Sequence, residues 1–139
     1  MNSVTYKADQ KDLFNREVTE AGLSSRLLTD YFVQGNCVYE NIGSYKEEDS
    51  FVIELEEMPH EEPYQNATVH KGDTCLLEYR IFTEAIEDRI LIKQYEFTSK
   101  NELLPHLLLF RPLLDGVHYN RVSGEYDEDR NVYTVYLSR

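Results

Sequence analysis

From Asn36 to the end of the chain, apolar and polar residues alternate in runs rich in Val, Ile, Tyr and Phe, and this period constrains the fold more than any other feature of the sequence. A period of two sends successive side chains to opposite faces of an extended chain, so each run reads as a strand with one face buried. The runs cover 37–45, 51–57, 74–83, 89–98, 117–125 and 131–138. Short polar links at 46–50, 84–88 and 126–130 predict hairpins, and the strands on either side of each link are expected to be antiparallel neighbours. In 51–57, Phe51, Ile53 and Leu55 fall on one face while Glu54 and Glu56 fall on the other.

The first 35 residues read differently. Leu13, Phe14, Val18 and Ala21 recur at three to four positions, and Leu27, Leu28, Tyr31 and Phe32 make a second apolar stripe that stops at Gly35, so the spacing predicts helix with a break near Gly22. Ser99 and Glu102 form a capping box ahead of the apolar run 103–114, where Pro105 and Pro112 limit the product to a short, kinked helix. The expected fold is α+β: a mainly antiparallel sheet of about six strands, an N-terminal helical segment and a short helix before a C-terminal hairpin. No internal repeat and no linker is visible, and residues 1–139 read as one domain.

The chain has 139 residues, enough to bury a core without disulfide or metal staples. Its 26 acidic against 14 basic residues give a net charge of −12, which argues against direct contact with nucleic acid or an anionic membrane. No apolar stretch approaches a membrane span and no signal peptide is seen, so a cytoplasmic protein is expected. Cys37 and Cys75 both sit in strand-like runs and read as buried reduced thiols. Asn66-Ala67-Thr68 fits the glycosylation acceptor pattern, but in a cytoplasmic protein it is expected to stay unmodified.

The most unusual local feature is acidic. Glu47, Glu48, Asp49, Glu54, Glu56, Glu57, Glu61 and Glu62 crowd into one stretch, and no Lys or Arg occurs from 47 through 70. Such a patch steers a basic surface toward it, with Tyr64 or Tyr45 supplying desolvated anchors. The plainer reading of the same acids is a solvated face that keeps the chain soluble. The leading reading is a non-enzymatic binding module of the inhibitor, immunity, adaptor or chaperone kind. Its partner is a basic protein, a class that includes nucleic-acid-binding proteins.

No phosphate loop, nucleophile elbow or zinc or calcium spacing is present, so no catalytic residue, metal or cofactor is assigned. The alternative reading rests on Arg80, Arg111 and Arg121, which lie in apolar or alternating segments and would need a carboxylate or a bound anion if turned inward. That alternative places a small anionic ligand in a cavity between sheet and helices. The run Gly72-Asp73-Thr74-Cys75-Leu76-Leu77-Glu78-Tyr79-Arg80, followed by another strand, resembles the paired strands of chorismate-lyase-type ligand domains. The resemblance implies such a cavity and transfers no active-site residue. In size and low pI the chain is also similar to bacterial secretion chaperones.

Overall fold

The computed structural model describes residues 1–64 and 69–139; the Asn66-Ala67-Thr68 triplet lies outside them. The chain begins as strand rather than helix. In β1 (Asn2–Ala8) and β2 (Lys11–Val18), Val4, Tyr6, Phe14, Arg16 and Val18 share one face, with Tyr6 directly opposite Phe14. Asp9 and Gln10, both at positive φ (51° and 65°), close the hairpin as the two-residue turn whose twist matches its strands. The helical expectation for this segment fails for a definable reason. A spacing of four between Phe14 and Val18 suits a helical stripe and also the even positions of a strand, and Asp-Gln lacks the Gly or Asn that normally announces such a turn.

Helix α1 (Glu20–Leu27) follows, capped by the Thr19 hydroxyl, which accepts from the Gly22 N–H (3.1 Å). Gly22 therefore lies inside the helix and does not break it. Strands β3 (Tyr31–Gln34), β4 (Cys37–Glu47) and β5 (Ser50–Glu57) complete the first half. The second half contains β6 (Cys75–Ile81), β7 (Leu91–Phe97), helix α2 (Lys100–Leu107), the two-residue strands β8 (Leu113–Leu114) and β9 (Val117–His118), β10 (Asn120–Asp127) and β11 (Val132–Ser138). Ser99 caps α2 through the Glu102 N–H as its spacing predicts, but the helix ends at Leu107, and the apolar run beyond it turns into the β8–β9 hairpin.

Nine strands form one sheet in the order β2-β1-β5-β4-β3-β10-β11-β6-β7. The strand runs and three hairpins expected from Cys37 onward are present, except that the run 117–125 is divided at Tyr119 into β9, paired only with β8, and β10; the sheet is also mixed, with β1–β5, β3–β10 and β6–β11 parallel. Parallel pairing follows from the route of the chain. Each half makes a hairpin, crosses over through a helix and returns its last strand to the side of the first strand that the hairpin left free.

The two halves repeat one design, which corrects the reading that no repeat exists. Order and direction reverse about β3, with β4, β5, β1 and β2 on one side matching β10, β11, β6 and β7 on the other and β4 antiparallel to β10, as for a two-fold axis normal to the sheet. From the helix caps through β4 and β10, equivalent residues lie eighty positions apart: Thr19 with Ser99, Leu23 with Leu103, Leu27 with Leu107, Tyr39 with Tyr119. The turn Gly35-Asn36 matches Asp115-Gly116, all at positive φ, and the ladder irregularity between Asn41 and Gly43 matches that between Arg121 and Ser123. Few identities survive, so the repeat is one of pattern and geometry.

Both helices contribute to a single core against one face of the sheet, with Leu23, Leu103 and Leu107 packed among Tyr6, Phe32, Ile53, Leu77, Tyr79 and Tyr133. Tyr6 stacks on Phe32 at 4.3 Å and Tyr126 on Tyr133 at 4.4 Å. The Arg26 guanidinium lies over the Tyr126 ring (5.0 Å), donates to the Tyr6 hydroxyl (2.8 Å) and meets Glu128 (3.0 Å), whose other oxygen holds Arg16.

Two outcomes follow. Glu128→Ala strands two arginines, one of them largely buried, and should lower unfolding free energy by about 1–3 kcal/mol in a urea titration. Glu84→Ala, in the exposed β6–β7 loop, should stay within about 0.5 kcal/mol of wild type. Both cysteines are free, Cys75 buried and Cys37 half-buried, and burial raises the Cys75 thiol above its ordinary range. A thiol reagent should therefore modify native Cys37 well before Cys75, with the two becoming equal in denaturant.

Candidate functional site

The face of the sheet turned away from the helices is treated differently in the two halves. In the second half it is covered. Along one row, Glu125 on β10, Thr134 on β11 and Glu78 on β6 stand side by side, all buried, with Asp127, Tyr136 and Arg80 in the adjoining rows. The chain segments after β5 and after β6 fold back over them. Tyr64 lays its ring on Arg80 (4.0 Å) and Arg130 (5.3 Å), and Arg89 lies over Tyr136 (4.9 Å) and Phe82 (4.6 Å).

Charges in this layer are matched closely. Arg80 meets Glu78 at 3.0 Å and donates to the Arg89 carbonyl, while Arg130 joins Glu78 (3.1 Å) to Asp127 (2.8 Å). Fixed donors of this kind are what a buried carboxylate requires. Glu125 is served less well, having the Tyr136 hydroxyl at 3.4 Å. Burial pushes its carboxyl up to about 7 and the Asp127 charge acts in the same direction, against smaller opposing pulls from Arg130, Arg89 and Tyr136. A cavity of about 160 Å³ between Glu125, Tyr136, Arg89 and Glu61 is below the size that usually admits a small-molecule ligand.

The equivalent face of the first half is open. Where the second half has Glu125, Thr134 and Glu78, the first has Tyr45, Val52 and Thr5; Tyr45 remains 45% exposed and Thr5 half-buried, while Val52 between them is buried. Glu54 and Glu56 project from β5 as the alternation predicts, and both are exposed. Glu40 on β4 stands directly opposite Glu56, and Glu17 on β2 extends the acidic surface to the sheet edge through its pairing with Ser3. Lys7, beside Glu54, is drawn instead toward Asp12 and Glu47, at 3.8 Å from each. A groove of about 670 Å³ lies where this face ends at the β1–β2 turn, lined by Lys7, Lys11, Leu13, Ile42, Tyr45, Glu54 and Glu56 and, from the helix-side rows, by Tyr39, Leu55 and Glu57.

The acidic stretch read from sequence is therefore only partly one surface. Glu54 and Glu56 lie on the open face, and Glu47, Glu48 and Asp49 form the β4–β5 turn at its end. Glu57 pairs with Tyr39 and so belongs to the helix-side row, while Glu61 and Glu62 lie in the segment after β5, with Glu61 3.7 Å from Arg89. Tyr64 is half-buried against Arg80. Glu17 and Glu40 were missed because they lie outside the acidic run and reach the face through strand pairing alone. Of the three candidate arginines, Arg80 is buried in its ion pairs, Arg121 is held by Asp30 (3.2 Å) and the Leu107 carbonyl, and Arg111 is exposed. The fold does not bring them to one cavity. No cluster of three or more metal-ligating side chains occurs among the described residues.

The Glu125 environment sets a pH dependence. Its folded carboxyl titrates above the ordinary value of 4.5, so the protonated form favours the fold. The stability contributed by this group is complete below about pH 4.5 and is lost as pH rises through 7. Urea midpoints should therefore fall between pH 5 and 8.5. Glu125→Gln should flatten that slope and gain on the order of 2–3 kcal/mol over wild type at the alkaline end.

Compared with protein-family models, curated proteins and solved structures, the chain matches none of them.

Proposed function

We propose that the chain is a binding module whose open sheet face, formed by β2, β1, β5 and β4, receives a basic protein surface. The observation that carries this reading is the cross-strand pair Glu40–Glu56, set beside Glu54 on a face that the other half of the molecule covers. Like charges directly opposite one another on neighbouring strands cost stability. A partner's lysine or arginine placed between them converts that cost into attraction.

The surroundings suit such a contact. Ile42 and Tyr45 are about half exposed beside the acids, giving apolar anchors within a charged rim, and the groove has room for several side chains of a partner. The acids act chiefly on approach, raising the rate at which a cationic surface arrives in register, and the anchors slow its departure. Nucleic-acid-binding proteins are among the partners with surfaces of this charge. Glu54 and Glu56 hold the central position in this reading, with Glu40 and Glu17 beside them, and Tyr45 replaces Tyr64 as the aromatic anchor.

The test uses an arginine-rich peptide as probe and two variants of equal charge. One carries Gln at Glu17, Glu40, Glu54 and Glu56; the other carries Gln at Glu20, Glu84, Glu87 and Glu102. The face variant should bind the peptide at least tenfold more weakly than wild type at low salt, and its urea midpoint should match or exceed wild type. The control variant should lose no more than about twofold. Equal losses in the two variants would show that net charge alone attracts the peptide and would sink the proposal.

A further inference from the structure

The repeat exposes a discrepancy. In the first half, the residues after the helix become β3, where Phe32 and Val33 are buried because β10 lies alongside. Eighty positions later the chain again leaves a helix, makes the same positive-φ turn and pairs in the same register, Leu113 with His118 and Leu114 with Val117. Here no strand other than β9 pairs with β8 among the described residues. The sequence nevertheless remains as apolar as that of a covered strand: Leu108, Leu109, Phe110, Leu113 and Val117 are between 44% and 82% exposed, Phe110 the most.

We infer that this surface, from the end of α2 through the β8–β9 hairpin, is the contact through which two copies of the chain pair. Size is the first argument. Leu113 and Val117 lie on opposite faces of the hairpin, since Leu113 stands opposite His118 and Leu114 opposite Val117. With about 150–200 Å² available on a large free side chain, Leu108, Leu109, Phe110 and Leu113 together expose roughly 400 Å² of apolar surface per copy, within the range of a monomer's largest patch. Two such patches with their polar rims reach the roughly 1,200 Å² at which specific interfaces begin.

Charge is the second argument. A copy with net charge −12 repels another wherever carboxylates meet, but the stretch 103–124 carries one acid, Asp115, already held by Lys93 at 2.9 Å. Arg111 has no carboxylate within ion-pair distance among the described residues, and Arg121 offsets Asp30. Two acidic copies therefore meet at this patch with few carboxylates of its own stretch between them. A two-fold contact sets the same patch against itself, so one apolar surface covers the other. It also leaves the acidic face free, and the inference stands whether or not that face binds a basic partner.

Sedimentation equilibrium of the full chain, from roughly 5 to 200 μM, tests it. Wild type should approach twice the 16.4 kDa of one chain as concentration rises. Phe110→Asp and Leu113→Asp, tested singly, should each weaken the association at least tenfold, and Arg111→Glu several-fold. Because these side chains are exposed, urea midpoints measured at low concentration, where wild type is a single chain, should stay at the wild-type value, which separates loss of pairing from loss of fold. A single-chain mass for wild type at the highest concentration overturns the inference. A dimer that persists unchanged in folded Phe110→Asp and Leu113→Asp overturns it too, by placing the contact elsewhere.

Discussion

Everything in the sheet depends on a short parallel seam between β3 and β10, where Tyr31 meets Glu125, Phe32 meets Tyr126 and Val33 meets Asp127. Three residue pairs are few to join two halves, and carboxylates reinforce the seam at both ends. At one end the Asp30 carboxylate accepts the Gly124 N–H (2.8 Å) and meets Arg121. At the other, the Asp129 carboxylate accepts the N–H groups of Gly35 and Asn36, at 2.9 and 2.8 Å, while Glu128 gathers Arg16 and Arg26. Charge-assisted bonds of this kind are short and directional. Acids that look like generic surface residues in the sequence thus hold the molecule together.

The seam also explains why one sheet carries two kinds of surface. Because the halves are related by an axis normal to the sheet, both present the same face to the helices and the same face away from them. The second half has the longer β6–β7 loop and receives the segment after β5, and these cover its outer face. The first half has only Asp9-Gln10 at the corresponding turn. Buried ion pairs under the cover and exposed acids on the open side are therefore two products of one architecture, separated by loop length.

The sequence was most informative where alternation was strong and turns were conventional. Strands β4 to β7 and β11, the Ser99 cap and the division of β5 into an apolar and an acidic face could all be read directly. The first 18 residues misled because Phe14 and Val18 satisfy both periods and because Asp-Gln is an uncommon turn. The parallel pairs were hidden, since pairing partners far apart in sequence leave no local trace. Of the candidate face, Glu54 and Glu56 were legible from their alternation with Ile53 and Leu55. Glu17 and Glu40 join them only after neighbouring strands are aligned, and Tyr64 could not be seen to be committed to Arg80.

The position of the seam bears on how the chain folds as it is made. Each half closes on itself through contacts contained within it, β5 returning to β1 and β11 to β6, whereas Phe32 must wait for Tyr126, more than ninety residues later. During synthesis the first half therefore emerges with the β3 edge unpaired and with Phe32 and Val33 uncovered. That edge is a template for the β10 of another nascent chain as much as for its own, so domain-swapped association competes with correct closure. Its short length, four residues, limits the time and area over which that competition runs.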